Sequence, residues 1–191
     1  MLIYLLLLCA IGAIHKLYFG EPLTTLWLAD PYPPTEFSDQ TYLLETDVLI
    51  GITLGLTVVK LSRWLSTHTE WAKRIDLDFA SYFGEQSAFT LTGIAVMSSL
   101  CEEVVFRGWL QDLVGFAWAS LIFGLLHIPP QRSHWPWTLS ATIMGFVLGA
   151  LYSWRGSVTS PFIAHFTINY FNLHALSQLN QTQRIDRSES T

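Results

Sequence analysis

Apolar residues in this chain run in long blocks separated by short polar stretches, and strict alternation is rare. Blocks of that kind predict helices long enough to cross a bilayer, which takes about 20 residues each. The first block, residues 1–19, has no basic leader and no convincing cleavage site, so it is expected to be an uncleaved span and not a signal peptide. Residues 20–46 carry Pro22, Pro31, Pro33 and Pro34 among acidic residues, which predicts a loop. A second span is expected over 47–65. Residues 66–87 mix Trp71, Lys73, Arg74, Asp76 and Asp78 with apolar positions, the pattern of an interfacial amphipathic segment. Further spans are expected over 88–113, over 116–128 (stopped by Pro129 and Pro130), over 137–154 between Trp135, Trp137 and Trp154, and over 158–176. From Ser177 the chain turns polar, and a frayed tail is expected.

Composition fixes what the blocks mean. Of 191 residues, 51% are hydrophobic and 13% are charged, with mean hydropathy +0.36. Soluble domains average about 25% charged residues, so this chain cannot cover a soluble surface. The expected fold is all-α, a polytopic transmembrane bundle of about six spans. It divides into N-terminal spans and interfacial segment (1–87), a core (88–176) and a polar tail (177–191). Lys60, Arg63, Lys73, Arg74, Arg132, Arg184 and Arg187 fall on one side of that arrangement, against Lys16 and Arg155 on the other. This bias predicts a multi-pass cell-membrane protein with both termini in the cytoplasm. No basic surface for nucleic acid is visible. Cys9 and Cys101 lie in apolar runs and are expected to be buried free thiols.

The exception to the apolar pattern is Glu102-Glu103, followed by Arg107, inside the third span. A charge at bilayer depth costs roughly 2.5–3.5 kcal/mol on insertion scales, which makes such residues functional candidates. Glu103 and Arg107 are four apart and share a helix face; Glu102 is rotated about 100° away. The pattern therefore assigns Glu103 and Arg107 to a structural ion pair and leaves Glu102 for chemistry.

Three more polar residues sit in apolar surroundings: His127, His165 and Asn169, the last two one helical turn apart. Glu102 is 13 residues before Gly115 and His127 is 12 after it, so both lie roughly 18–20 Å from that turn. His165, nine residues past Gly156, lies roughly 13–14 Å from the same face. The four residues are expected at one site. His15, His68, His134 and His174 read as ordinary interfacial groups, and Thr90, Thr92, Thr138 and Thr142 as hydroxyls satisfied on their own helices.

Two chemistries suit the set. Glu102 can act as general base on a water attacking a peptide carbonyl, with His165 and Asn169 donating to the oxyanion. Alternatively, Glu102, His127 and His165 can ligate zinc with one position open for water. Asn is a poor zinc ligand and a good oxyanion donor, which favours the first version with no cofactor. A proton-coupled transporter would need inverted repeats, and none is seen.

As spaced, the residues Glu102-Glu103-…-Arg107, Phe123-…-His127 and His165-…-Asn169 resemble the CAAX-processing and bacteriocin-processing family of intramembrane proteases, also called the Abi family. The resemblance covers about 88–173. It implies a helical membrane fold with Glu102, His127, His165 and Asn169 as catalytic residues and Glu103, Arg107 and Phe123 in support. It implies a peptide or protein substrate, membrane-associated or lipid-anchored, and contact with membrane lipids. Both glutamate-type and metallo-type mechanisms have been described for the family. A non-catalytic immunity or scaffold protein on the same fold is the competing expectation.

Overall fold

The computed structural model describes residues 2–28, 40–129 and 131–189. Most of the proline-rich loop expected around Pro31, Pro33 and Pro34, and Pro130, lie outside the described residues. Within them the chain is all-α, with no strand. The helices are α1 (Leu2–Phe19), α2 (Gln40–His68), α3 (Glu70–Phe83), α4 (Ala88–Val114), α5 (Phe116–Leu125), α6 (Trp135–Arg155) and α7 (Thr159–Glu189). Short 3₁₀ turns at Leu23–Trp27 and Arg132–His134 punctuate the connections.

Among the described residues, two helices are long and apolar enough to cross a membrane: Leu43–His68, with mean hydropathy 1.6, and Ala88–Val114, with 1.5. Only 17% of the first window is buried inside the protein. A helix that apolar and that exposed needs a non-aqueous neighbour.

α2 lies along α7, and the contact rests on small residues. A Cβ on Gly51 would come within 2.8 Å of the Ser160 carbonyl, and one on Gly55 within 2.9 Å of the Ala164 carbonyl. The pair forms a G-x-x-x-G surface, which lets helix backbones approach closely where no hydrophobic force separates helix from lipid. Gly55→Ala is expected to lower stability by about 1–3 kcal/mol through overpacking, read as a lower midpoint of thermal unfolding in detergent. α4 packs on the opposite flank of α7 through Leu91, Ala95 and Leu173. α4 meets α5 and α6 through Phe106, Phe123 and Ala141.

Several expectations need correction. α2 begins at Gln40, inside the stretch expected to be a loop. α5 ends at Leu125, so the expected span over 116–128 is only ten residues of helix. At 1.5 Å per residue that is about 15 Å, half of a roughly 30 Å hydrocarbon core. It stops early because the chain tightens: the His127 amide bonds the Gly124 carbonyl at 3.0 Å, and Pro129 follows. The polar tail is not frayed where it is described, because α7 continues to Glu189. Ser177 and Asn180 are buried, and Asn180 Nδ2 donates to the Ala80 carbonyl of α3 at 2.6 Å. Cys101 is buried as expected, but Cys9 is exposed, on an α1 that buries Ile11 and His15 instead.

The 66–87 segment does form an amphipathic helix, α3, with Ala72, Ile75 and Ala80 buried. The Ser66 hydroxyl donates to Asp76 there. Burial pushes the Asp76 carboxyl above the usual carboxylate range, and the Ser66 contact pulls it partly back.

Candidate active site

α4 is not regular throughout. It runs as an α-helix to Val105, then widens into a π turn over Phe106–Leu110. Such turns gather at functional sites, where they re-aim side chains. Glu102 and Glu103 stand on the last regular turn, and Arg107 stands on the widened one.

Glu103 and Arg107 are both buried, at 0% and 1% exposure. Arg107 Nη1 donates to Glu103 Oε1 at 3.1 Å, and Nη2 donates to the Gly145 carbonyl of α6 at 3.1 Å. The guanidinium centre lies 4.7 Å from the Phe123 ring centroid, within cation–π range. Glu103 Oε1 also accepts from His165 Nδ1 at 2.7 Å. The acid read as structural alone therefore orients a site imidazole as well.

His127 is held from the other side. Its Nδ1 donates to the Phe123 carbonyl at 2.7 Å, and its ring lies 4.5 Å from the Phe123 ring. A carbonyl can only accept, so the proton of the neutral ring is on Nδ1. His165, bound to the Arg107-paired carboxylate of Glu103, takes the same tautomer. In the neutral rings both Nε2 atoms present lone pairs.

Those two atoms face one oxygen. His127 Nε2 and His165 Nε2 each lie 3.8 Å from Glu102 Oε2. That oxygen is buried and has no hydrogen-bond partner. With both rings neutral, three acceptors meet at that point with no donor between them. The Glu102 side chain is 25% exposed, against 0% for Glu103, so the two neighbouring acids differ in both access and partners.

Zinc is the group whose chemistry such a donor set suits. The spacing is wider than a bound ion would set. Bonds of about 2.0–2.2 Å in a tetrahedron place ligand atoms roughly 3.4 Å apart, whereas both imidazole–carboxylate separations here are 3.8 Å. Among the described residues no three His, Cys, Asp or Glu side chains are grouped to hold a metal ion.

Asn169 is not brought to Glu102. Its Nδ2 donates to Ser98 Oγ and Ser99 Oγ, each at 3.2 Å. α4 and α7 run antiparallel, so Asn169 meets the serines one turn before the acids while His165 meets the acids. Ser98 and Ser99 were not singled out in the sequence. Their spacing from Glu102 and Glu103 matches that of Asn169 from His165, which was the available signal. Two groups read as bland also hold polar contacts: Thr138 Oγ1 donates to the His127 carbonyl at 3.0 Å, and His134 is buried.

A cavity of about 610 Å³ opens beside His127, walled by Phe79, Tyr82, Leu126, Pro129 and Trp137. Leu126, His127, Ile128, Pro129 and Gln131 line it, and non-helical backbone inside a membrane protein is tolerated where it lines a cavity.

The described residues thus form a helical bundle with two apolar helices of spanning length and a Glu–His–His cluster. Residues 84–171, which contain Glu102, His127 and His165, match the family model described as type II CAAX prenyl endopeptidase Rce1-like. A Bacillus subtilis (strain 168) protein, YpbD, itself described as uncharacterized, is 30% identical over 122 residues. That alignment covers 64% of this chain and 62% of YpbD. No solved structure matches the chain.

Proposed function

We propose that the protein is an intramembrane endopeptidase of glutamate type. In this reading Glu102 activates a water to cleave a peptide bond in a membrane-associated or lipid-anchored substrate. The observation that carries it is the unpartnered Glu102 Oε2 between two imidazole lone pairs. A separation of 3.8 Å is too long for a direct hydrogen bond and leaves the site short of a donor. A water supplies the missing donors: one O–H to Glu102 and one to an imidazole Nε2.

Its oxygen then attacks the substrate carbonyl as Glu102 takes the proton, and the protonated acid returns that proton to the leaving amine. His127 Nε2 orients the water, and His165, charged by a proton taken from bulk solvent as the substrate binds, donates to the oxyanion. Asn169 joins that oxyanion site by exchanging one serine contact for the substrate. Glu103, Arg107 and Phe123 hold the imidazoles in place. We infer, from the Lys and Arg bias of the sequence, a multi-pass cell-membrane protein with cytoplasmic termini.

The test is cleavage of a lipid-anchored reporter peptide by protein reconstituted in vesicles. Cleavage is expected to persist in excess chelator, with no stoichiometric zinc in the purified protein. Zinc lost together with activity would overturn the metal-free reading.

A further inference from the structure

His127 lies just past the end of α5, and among the described residues between there and Trp135, where α6 begins, none is α-helical. Something must fix that connection if the imidazole is to hold its place. Its far end is docked on α3. His134, the N-cap residue of α6, has a side chain only 2% exposed, and its Nε2 lies 2.8 Å from Asp78 Oδ2. Gln131 Nε2 donates to the Tyr82 hydroxyl one turn further along α3. Phe79 lies between them, with its ring 5.5 Å from His134 and 5.2 Å from Trp137.

The docking reaches the site by two routes. The Trp137 ring is 6.2 Å from the His127 ring, and Thr138 Oγ1 holds the His127 carbonyl. α3 is itself anchored, through Ala72, Ile75 and Ala80 and through Asn180 on the Ala80 carbonyl. It is a fixed platform, and the connection is the part that needs fixing.

We propose that Asp78 and His134 are positioning residues of the candidate site, holding the Gln131–His134 end of the connection against α3 so that His127 stays aimed at Glu102. This rests on the peptidase reading. Asp78 is 53% exposed, its partner is buried, and the pair lies outside the Glu102 cluster, so its loss displaces the connection without removing a reacting group. A displacement near 1 Å costs about 100-fold in rate.

Asp78→Ala and His134→Ala are expected to lower kcat by tenfold or more on the lipid-anchored peptide, with KM changed less than threefold. Asp78→Asn keeps an acceptor and His134→Gln keeps a donor at the Nε2 position, so both are expected to retain kcat within threefold. A merely structural role would lower the amount of folded protein and leave kcat per folded molecule intact. Independently of activity, spin labels on cysteines placed at Ser81 and Ser133 in a Cys9→Ser background are expected to give a narrow distance distribution that broadens in Asp78→Ala. An unchanged distribution, or broadening with kcat untouched, overturns the proposal. Wild-type protein that cuts no peptide sinks the peptidase reading instead, whatever the labels report.

Discussion

Glu102→Gln is expected to abolish cleavage and leave the protein folded. The substitution keeps shape and removes the one group in the cluster able to take a proton from water while facing both imidazoles. General-base removal costs about 10²–10⁴ in rate. Stability is expected to move by less than about 0.5 kcal/mol, because Glu102 Oε2 makes no hydrogen bond that the amide would lose. Parallel measurements of reporter cleavage and thermal unfolding separate the two effects. Equal cleavage by variant and wild type would remove Glu102 from the reaction. It would favour a binding scaffold that has kept a protease fold.

Arg107→Met is expected to do the reverse, unfolding the protein before any question of rate arises. Glu103 is fully buried and shares Oε1 between Arg107 and His165. Taking away the guanidinium leaves a carboxylate without its countercharge in a low-dielectric interior, a loss of about 3–5 kcal/mol. The Gly145 carbonyl and the Phe123 face lose their partner in the same step. Glu103→Gln should cost a comparable amount and add a chemical defect. A glutamine can donate to His165 Nδ1 and so reverse the ring's tautomer. In the serine protease triad, losing the carboxylate that fixes the tautomer lowers kcat by about 10⁴. Denaturation in detergent reads the first effect, and activity of the surviving folded fraction reads the second. An Arg107→Met protein as stable as wild type would show that the pair is not what neutralises Glu103.

Much of this was legible in the sequence because charge inside an apolar block is a loud signal. Glu102, Glu103 and Arg107 announce themselves against their neighbours, and counting residues from Gly115 puts His127 level with Glu102. Quieter contacts escaped. Ser98 and Ser99 look like ordinary small residues on a membrane helix, and their four-residue offset from Glu102 and Glu103, the same as that of Asn169 from His165, is the one faint sign that Asn169 meets them. The Glu103–His165 bond was missed because helical spacing describes neighbours on one helix and is silent about the next. The length of α5 was misjudged for another reason. Apolar composition continues to Ile128, but the helix stops at Leu125, where the His127 amide tightens onto the Gly124 carbonyl ahead of Pro129.

That early stop has a further meaning. Hydrolysis consumes a molecule that hydrocarbon excludes, so an enzyme working at mid-bilayer must be irrigated. A helix halting halfway leaves a notch below it, floored by coil whose polar backbone tolerates solvent. In the proposed hydrolysis, the shortness of α5 and the cavity beside His127 are what would supply that water.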